Sequence, residues 1–167
     1  QPAIVVISSH VVRGTVGNRA AVLALEVLGF PVWSIPTVTL PWHPGHIAKA
    51  GIPGKLQPDD DAFSDMLTEL SNSPWIDQVG GVLTGYFASA RQVEAAARLI
   101  ADLKRKNPSV CYLLDPVIGD GQGDGRVDLT GLAGLTTLMG RSESGHHTLV
   151  CHGATPADVR HVLQVHG

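Results

Sequence analysis

Residues 3–29 read AIVVISSHVVRGTVGNRAAVLALEVLG. The first five, 3–7, are a continuous apolar run rich in β-branched side chains, the composition of a strand buried on both faces. Ser8, Ser9 and His10 end that run in a polar loop. Beyond Gly17 the period changes: Ala21, Val22, Leu25 and Leu28 recur at three- and four-residue spacing, which predicts a helix over 17–29. Gly29 closes it, because a glycine past the last apolar position takes the left-handed conformation without steric cost. A buried strand, a polar turn and an amphipathic helix make the first βα unit, and the fold follows from how often the unit repeats.

It repeats along the next hundred residues. The run VWSIPTVTL at 32–40 resumes the strand pattern, with Pro36 marking an edge or irregular position. Residues 41–58 hold four prolines, three glycines and two histidines, which predicts a long and therefore functional or mobile loop. Asp59, Asp60 and Asp61 open a helix through Leu70, at the end where acidic groups favour the helix dipole. VGGVLT at 79–84 is a strand ending at Gly85-Tyr86. Ser89 and Gln92 match a capping box, leading a helix with Val93, Ala96, Ala97, Ile100 and Leu103 inward. Lys104, Arg105 and Lys106 lie at its negative end, Asn107-Pro108 stops it, and VCYLL at 110–114 is the next strand. The alternation predicts an α/β fold with a mostly parallel sheet and helices on both faces. Ligands bind such sheets outside the carboxyl ends of the strands. Four polar turns fall there: Ser8 to His10, the loop from Pro41, Gly85-Tyr86, and Asp115 to Asp120.

Composition narrows the class further. The 167 residues are 44% hydrophobic and 16% charged, with mean hydropathy +0.14, which excludes a charge-rich disordered tail. A chain of this length buries roughly 70% of its unfolded surface, enough for a core. Twelve basic against fifteen acidic residues leave a net charge of −3, without the positive field that nucleic acid or an anionic membrane surface requires. Cys111 and Cys151 are too few for a disulfide framework and read as thiols of a reducing compartment, with a single bridge as the alternative. With no apolar run of transmembrane length and no signal-peptide pattern, the expected location is the cytoplasm.

The stretch SSHVVRGTVGNRAA (8–21), followed in order by PTVTLPWHPGH (36–46), VLTGY (82–86) and DPVIGDG (115–121), resembles the pyridoxal kinases of the ribokinase-like superfamily. The resemblance covers residues 3–124 and weakens over 125–167, so 1–167 reads as a single, partial kinase domain with an incomplete C-terminal half. It implies ATP-dependent phosphorylation of the primary alcohol of pyridoxal, and of pyridoxine or pyridoxamine, with ATP, Mg2+ and a monovalent cation as cofactors and a homodimer as the assembly. A hydroxymethylpyrimidine-type kinase and a non-catalytic remnant that binds a B6 vitamer are the alternatives.

By the same resemblance Ser9 hydrogen-bonds the pyridine, and Val16 and Tyr86 sandwich it. His43, Pro44 and His46 lie in the substrate loop, where many relatives have a threonine at the Pro44 position. Asp115 and Asp120, five apart across a turn at a strand end, suit a shared cation and the nucleotide phosphates; turn capping is the competing reading. In GRVDLT (125–130), Asp128 stands where the family's GTGD pattern has the catalytic base, or is a helix N-cap. Arg126 and Val127 depart from the small residues that let backbone amides face a phosphate.

The abrupt passage from an intact first half to short C-terminal pieces implies that a central stretch of the family pattern is absent, by loss of a segment or by omission with renumbering. Residues 129–139 fit a buried helix and Thr155-Pro156 a helix start. His146, His147, His152, His161 and His166 show no metal-ligand spacing and read as a solvated tail rather than a metal site.

Overall fold

The computed structural model describes residues 1–43 and 54–115. The readings for Pro44, His46, Asp120, Asp128, Cys151, the two C-terminal helices and the five late histidines lie outside those residues. In chain order the elements are β1 (Ala3–Arg13), α1 (Asn18–Val27), β2 (Val32–Trp42), α2 (Asp60–Ser71), a 3-10 turn (Ile76–Gln78), β3 (Val79–Thr84), α3 (Ala90–Lys106) and β4 (Cys111–Leu114). The four strands form one sheet in the order β2-β1-β3-β4, every neighbouring pair parallel. From β1 to β2 the chain steps one way along the sheet; from β2 to β3 and β3 to β4 it steps the other. Right-handed crossovers therefore put α1 on one face and α2 with α3 on the opposite one. The core agrees. Val5, Ile7, Ile35, Val82, Tyr112 and Leu114 of the sheet pack with Phe63 and Leu67 of α2 and with Val93, Ala96, Leu99 and Ile100 of α3.

The helices begin and end for local reasons. Asp59 caps α2, its Oδ1 accepting from the amides of Asp61 (2.9 Å) and Ala62 (3.3 Å). The end of α1 is a Schellman turn: Gly29, at φ 85°, donates to the Glu26 carbonyl and Phe30 to that of Leu25. Ser89 caps α3, as expected, by accepting from the Gln92 amide (3.2 Å). The return half of the box differs, since Gln92 Oε1 accepts from the Ala88 amide (2.9 Å). The buried face of α3 includes Ala95 and Leu99, while Ala97 is only half-buried. At the C-cap of α1 the expected inward residue Leu28 is exposed; among the described residues the helix rests mainly on β1 and β2.

Two corrections concern β1 and β2. Ser8, Ser9 and His10 do not end β1, which continues to Arg13 while β2 continues to Trp42, each beyond its expected limit. Pairing decides this: His10, Val11 and Arg13 lie in register with Thr39, Leu40 and Trp42, and Val11 is fully buried. β3 reaches only Thr84, opposite Ile7. The two longer strands thus run on past the rim as a ribbon. Pro36 does lie on an outer strand of the described sheet, and Leu56 bridges that strand antiparallel at Thr39.

Candidate functional site

The chain leaves β1 at Arg13 and reverses through Gly14 (φ 133°), so that Gly17 (φ 58°) pairs antiparallel with His10. Both glycines hold backbone angles that other residues adopt only under strain. Gly17 is also the point of closest approach: a Cβ there would stand 2.3 Å from the Ser9 carbonyl oxygen and 2.6 Å from Ser9 Oγ. The reversal sets Val16, 39% exposed, one residue before the Gly17 that approaches half-buried Ser9. Arg19 ties the arrangement down by donating to the Val12 carbonyl (2.6 Å).

Tyr86 arrives from the next strand. The last rungs of the ladder are Gly85 N–H to the Ile7 carbonyl (2.9 Å) and Asp115 N–H to the Thr84 carbonyl (2.8 Å). Beyond them side chains take over. The Tyr86 amide donates to Ser8 Oγ (3.1 Å), and the Thr37 hydroxyl donates to the Tyr86 carbonyl (2.8 Å). Gly85 permits this, since a Cβ there would meet Ser8 Oγ at 2.5 Å. The Tyr86 side chain stays 39% exposed at the rim, an aromatic surface fixed by its own backbone.

Asp115 follows β4 at the same end of the sheet. Its Oδ1 is buried and has no hydrogen-bond partner among the described residues, an orphaned carboxylate oxygen suited to a cation or a donor. Asn18, first residue of α1, is 1% exposed with both amide atoms likewise unpartnered. His43 follows directly on β2, whose last residue, Trp42, pairs with Arg13 six β1 positions past Ile7; His43 is thus about seven positions beyond that level, roughly 23 Å at 3.3 Å per residue.

The rim therefore gathers Ser9, Val16, Tyr86 and Asp115 on the ends of adjoining strands and sets His43 out along the ribbon. Ser8, Thr37, Gln92 and Asn18 were missed as site residues by sequence reasoning. Period-two alternation separates Ser8 from Ser9, and a buried polar residue in an apolar strand or helix face was the available signal. Among the described residues no helix is long and apolar enough to cross a membrane and no cluster of metal-ligating side chains occurs.

No family model matches the chain. It is 36% identical over 113 residues to pyridoxal kinase PdxY of Photobacterium profundum, a match covering 68% of this chain and 38% of that protein. Against pyridoxal kinase of Bos taurus it is 38% identical over 122 residues, covering 71% and 36%. The chain thus spans less than two-fifths of the length of these relatives. Among solved structures, pyridoxal kinase of Leishmania donovani in complex with ADP and pyridoxine superposes with a TM-score of 0.69 at 28% identity, over 88% of this chain and 50% of the other. The same enzyme with ADP and pyridoxamine gives 0.73 at 23% identity, over 98% and 58%, a likeness of fold.

Proposed function

We propose, from a chain recognised as a relative of the pyridoxal kinases with their ribokinase-like fold, that it serves ATP-dependent phosphorylation of the primary alcohol of pyridoxal, with pyridoxine and pyridoxamine as further acceptors. One observation supports this above the rest: Tyr86 is held by Ser8 beside the Ser9–Val16–Gly17 reversal, at the carboxyl ends of parallel strands.

In this reading Val16 and Tyr86 flank the pyridine ring, Tyr86 with an aromatic face and Val16 with an aliphatic one. Ser9 hydrogen-bonds the ring, and His43 and Pro44 approach it from the loop after β2. Asp128 takes the proton of the substrate hydroxyl. The alcohol oxygen then forms a bond to the γ-phosphorus as the bond from that phosphorus to the bridging oxygen breaks and ADP departs. Asp115 and Asp120 would hold Mg2+, which when bound neutralises charge on the phosphate oxygens. The orphaned Oδ1 of Asp115 fits an oxygen ligand of a hard cation. A monovalent cation, a homodimer and a cytoplasmic location complete the reading, with residues 1–167 as part of one kinase domain.

The test is the 167-residue chain with ATP, magnesium and each of pyridoxal, pyridoxine, pyridoxamine and hydroxymethylpyrimidine, read as phosphorylated product alongside binding by calorimetry. Turnover of pyridoxal, lost in Asp128→Ala with binding retained, is the expected result. Saturable pyridoxal binding without turnover assigns the chain a binding role. Phosphorylation of hydroxymethylpyrimidine alone moves it to that branch of the superfamily. If pyridoxal neither binds nor reacts, the pocket reading is wrong.

A further inference from the structure

We infer that Gln92, acting through Thr37, is a positioning residue for Tyr86 and thereby sets the affinity of the site for a flat aromatic ring; this rests on the ligand-binding role proposed for Tyr86. The Gln92 side chain is 0% exposed, on a helix face otherwise filled by apolar residues. Both ends of its carboxamide are engaged. Nε2 donates to the Thr37 carbonyl (3.0 Å) and Oε1 accepts from the Ala88 amide (2.9 Å). Thr37, also 0% exposed, passes the constraint on through its hydroxyl to the Tyr86 carbonyl (2.8 Å). The peptide unit after Tyr86 is thus held from β2, its amide from β1 by Ser8, and the end of the loop at Ala88 from α3.

The strand geometry makes Thr37 available. Ser8 pairs with Pro36 and His10 with Thr39, so Thr37 and Val38 together stand opposite Ser9 alone. This is a bulge, which interrupts the ladder and redirects a residue; here it presents a carbonyl to Gln92 and a hydroxyl to Tyr86. Gln92 is held in turn, its amide by Ser89 Oγ, which donates to Asp60 Oδ1 at the start of α2 (2.6 Å). A buried leucine would fill the space but leave the Thr37 carbonyl and Ala88 amide unpaired. A glutamate would set an acceptor against the Thr37 carbonyl. Only a carboxamide satisfies both, which accounts for a polar residue on the apolar face of α3.

A double-mutant cycle on the full chain separates positioning from general support. Gln92→Ala should raise the pyridoxal Kd about tenfold or more, as expected for a displaced binding group. In a Tyr86→Ala background the same substitution should change Kd little, because its route to the ligand is gone. An equal loss in both backgrounds, or no loss in the first, overturns the proposal. A second measurement needs no ligand: amide hydrogen exchange at Tyr86 should quicken about tenfold in folded Gln92→Ala. Unchanged exchange at Tyr86 with a faster Ala88 shows that the clamp stops short of the tyrosine and refutes it. If Gln92→Ala does not fold, Thr37→Val removes the hydroxyl while keeping the carbonyl, and the same two outcomes decide. A wild-type chain that binds no pyridoxal overturns the ligand reading alone, and the exchange result then decides the clamp.

Discussion

Gly85→Ala is the substitution whose outcome the site geometry constrains most tightly. Gly85 does not have a positive φ, so alanine meets no backbone obstacle there. The obstacle is Ser8, with Oγ 2.5 Å and Cβ 3.1 Å from where the new methyl would sit. Either β1 and β3 part at their ends, or Ser8 rotates and gives up the Tyr86 amide. Overpacking of this kind costs about 1–3 kcal/mol, and the lost hydrogen bond about 1. The lower chain entropy of unfolded alanine returns roughly 0.5. The expected loss is therefore about 1.5–3.5 kcal/mol in urea unfolding at unchanged m-value, together with weaker pyridoxal binding. Ser8→Ala removes the Oγ and leaves a contact that a shift of a few tenths of an ångström relieves. The double variant should accordingly be more stable, by about 1–2 kcal/mol, than the sum of the single losses. Additivity within about 0.5 kcal/mol would show that the two residues do not share this contact and would refute the reasoning.

Three further outcomes can be checked the same way. Gly17→Ala combines a positive φ with a collision against the Ser9 backbone, which cannot move aside as a side chain can; it should cost at least about 2 kcal/mol by urea melt and abolish pyridoxal binding. Asp59→Ala removes the cap of α2 and should lower stability by about 1 kcal/mol in a urea melt. Burial raises the Tyr112 hydroxyl above its ordinary 10, opposed by its hydrogen bond with Thr84. Its contribution to stability is complete below that value and falls as pH rises through the folded one, because the unfolded chain releases the proton first. Urea midpoints from about pH 9 to about pH 11 should fall less steeply in Tyr112→Phe.

The helices were the legible part of the fold, and the reason is local. Asp59, Ser89 and Gly29 act on backbone groups within four residues, so α2, α3 and the end of α1 start and stop close to where the pattern puts them. The length of β1 depends instead on a partner nearly thirty residues away. Ser8-Ser9-His10 has the composition of a loop, and only the ladder to β2 and the return of Gly17 keep it extended. The same non-locality concealed how much of α1 is covered, since Leu28 satisfies the helical period but stays exposed among the described residues.

For the site, the positions of Tyr86 and Asp115 followed from the rule that loops at strand carboxyl ends converge, and both are there. What could not be read was the connection between them. Strands in a parallel sheet stop at different lengths, and past the last rung the loop amides have no strand to bind. Gly85 and Asp115 take the final carbonyls, Ile7 and Thr84, and Tyr86 is the first residue left over. A strand that continues beyond its neighbour can satisfy such a residue only with side chains, and these must be polar to do so. Ser8 on β1 and Thr37 on β2 meet that need, and Gln92 on α3 meets the need that Thr37 creates. The polar residues that disturb the apolar patterns of two strands and a helix are therefore the ones that hold the candidate ring-binding tyrosine in place.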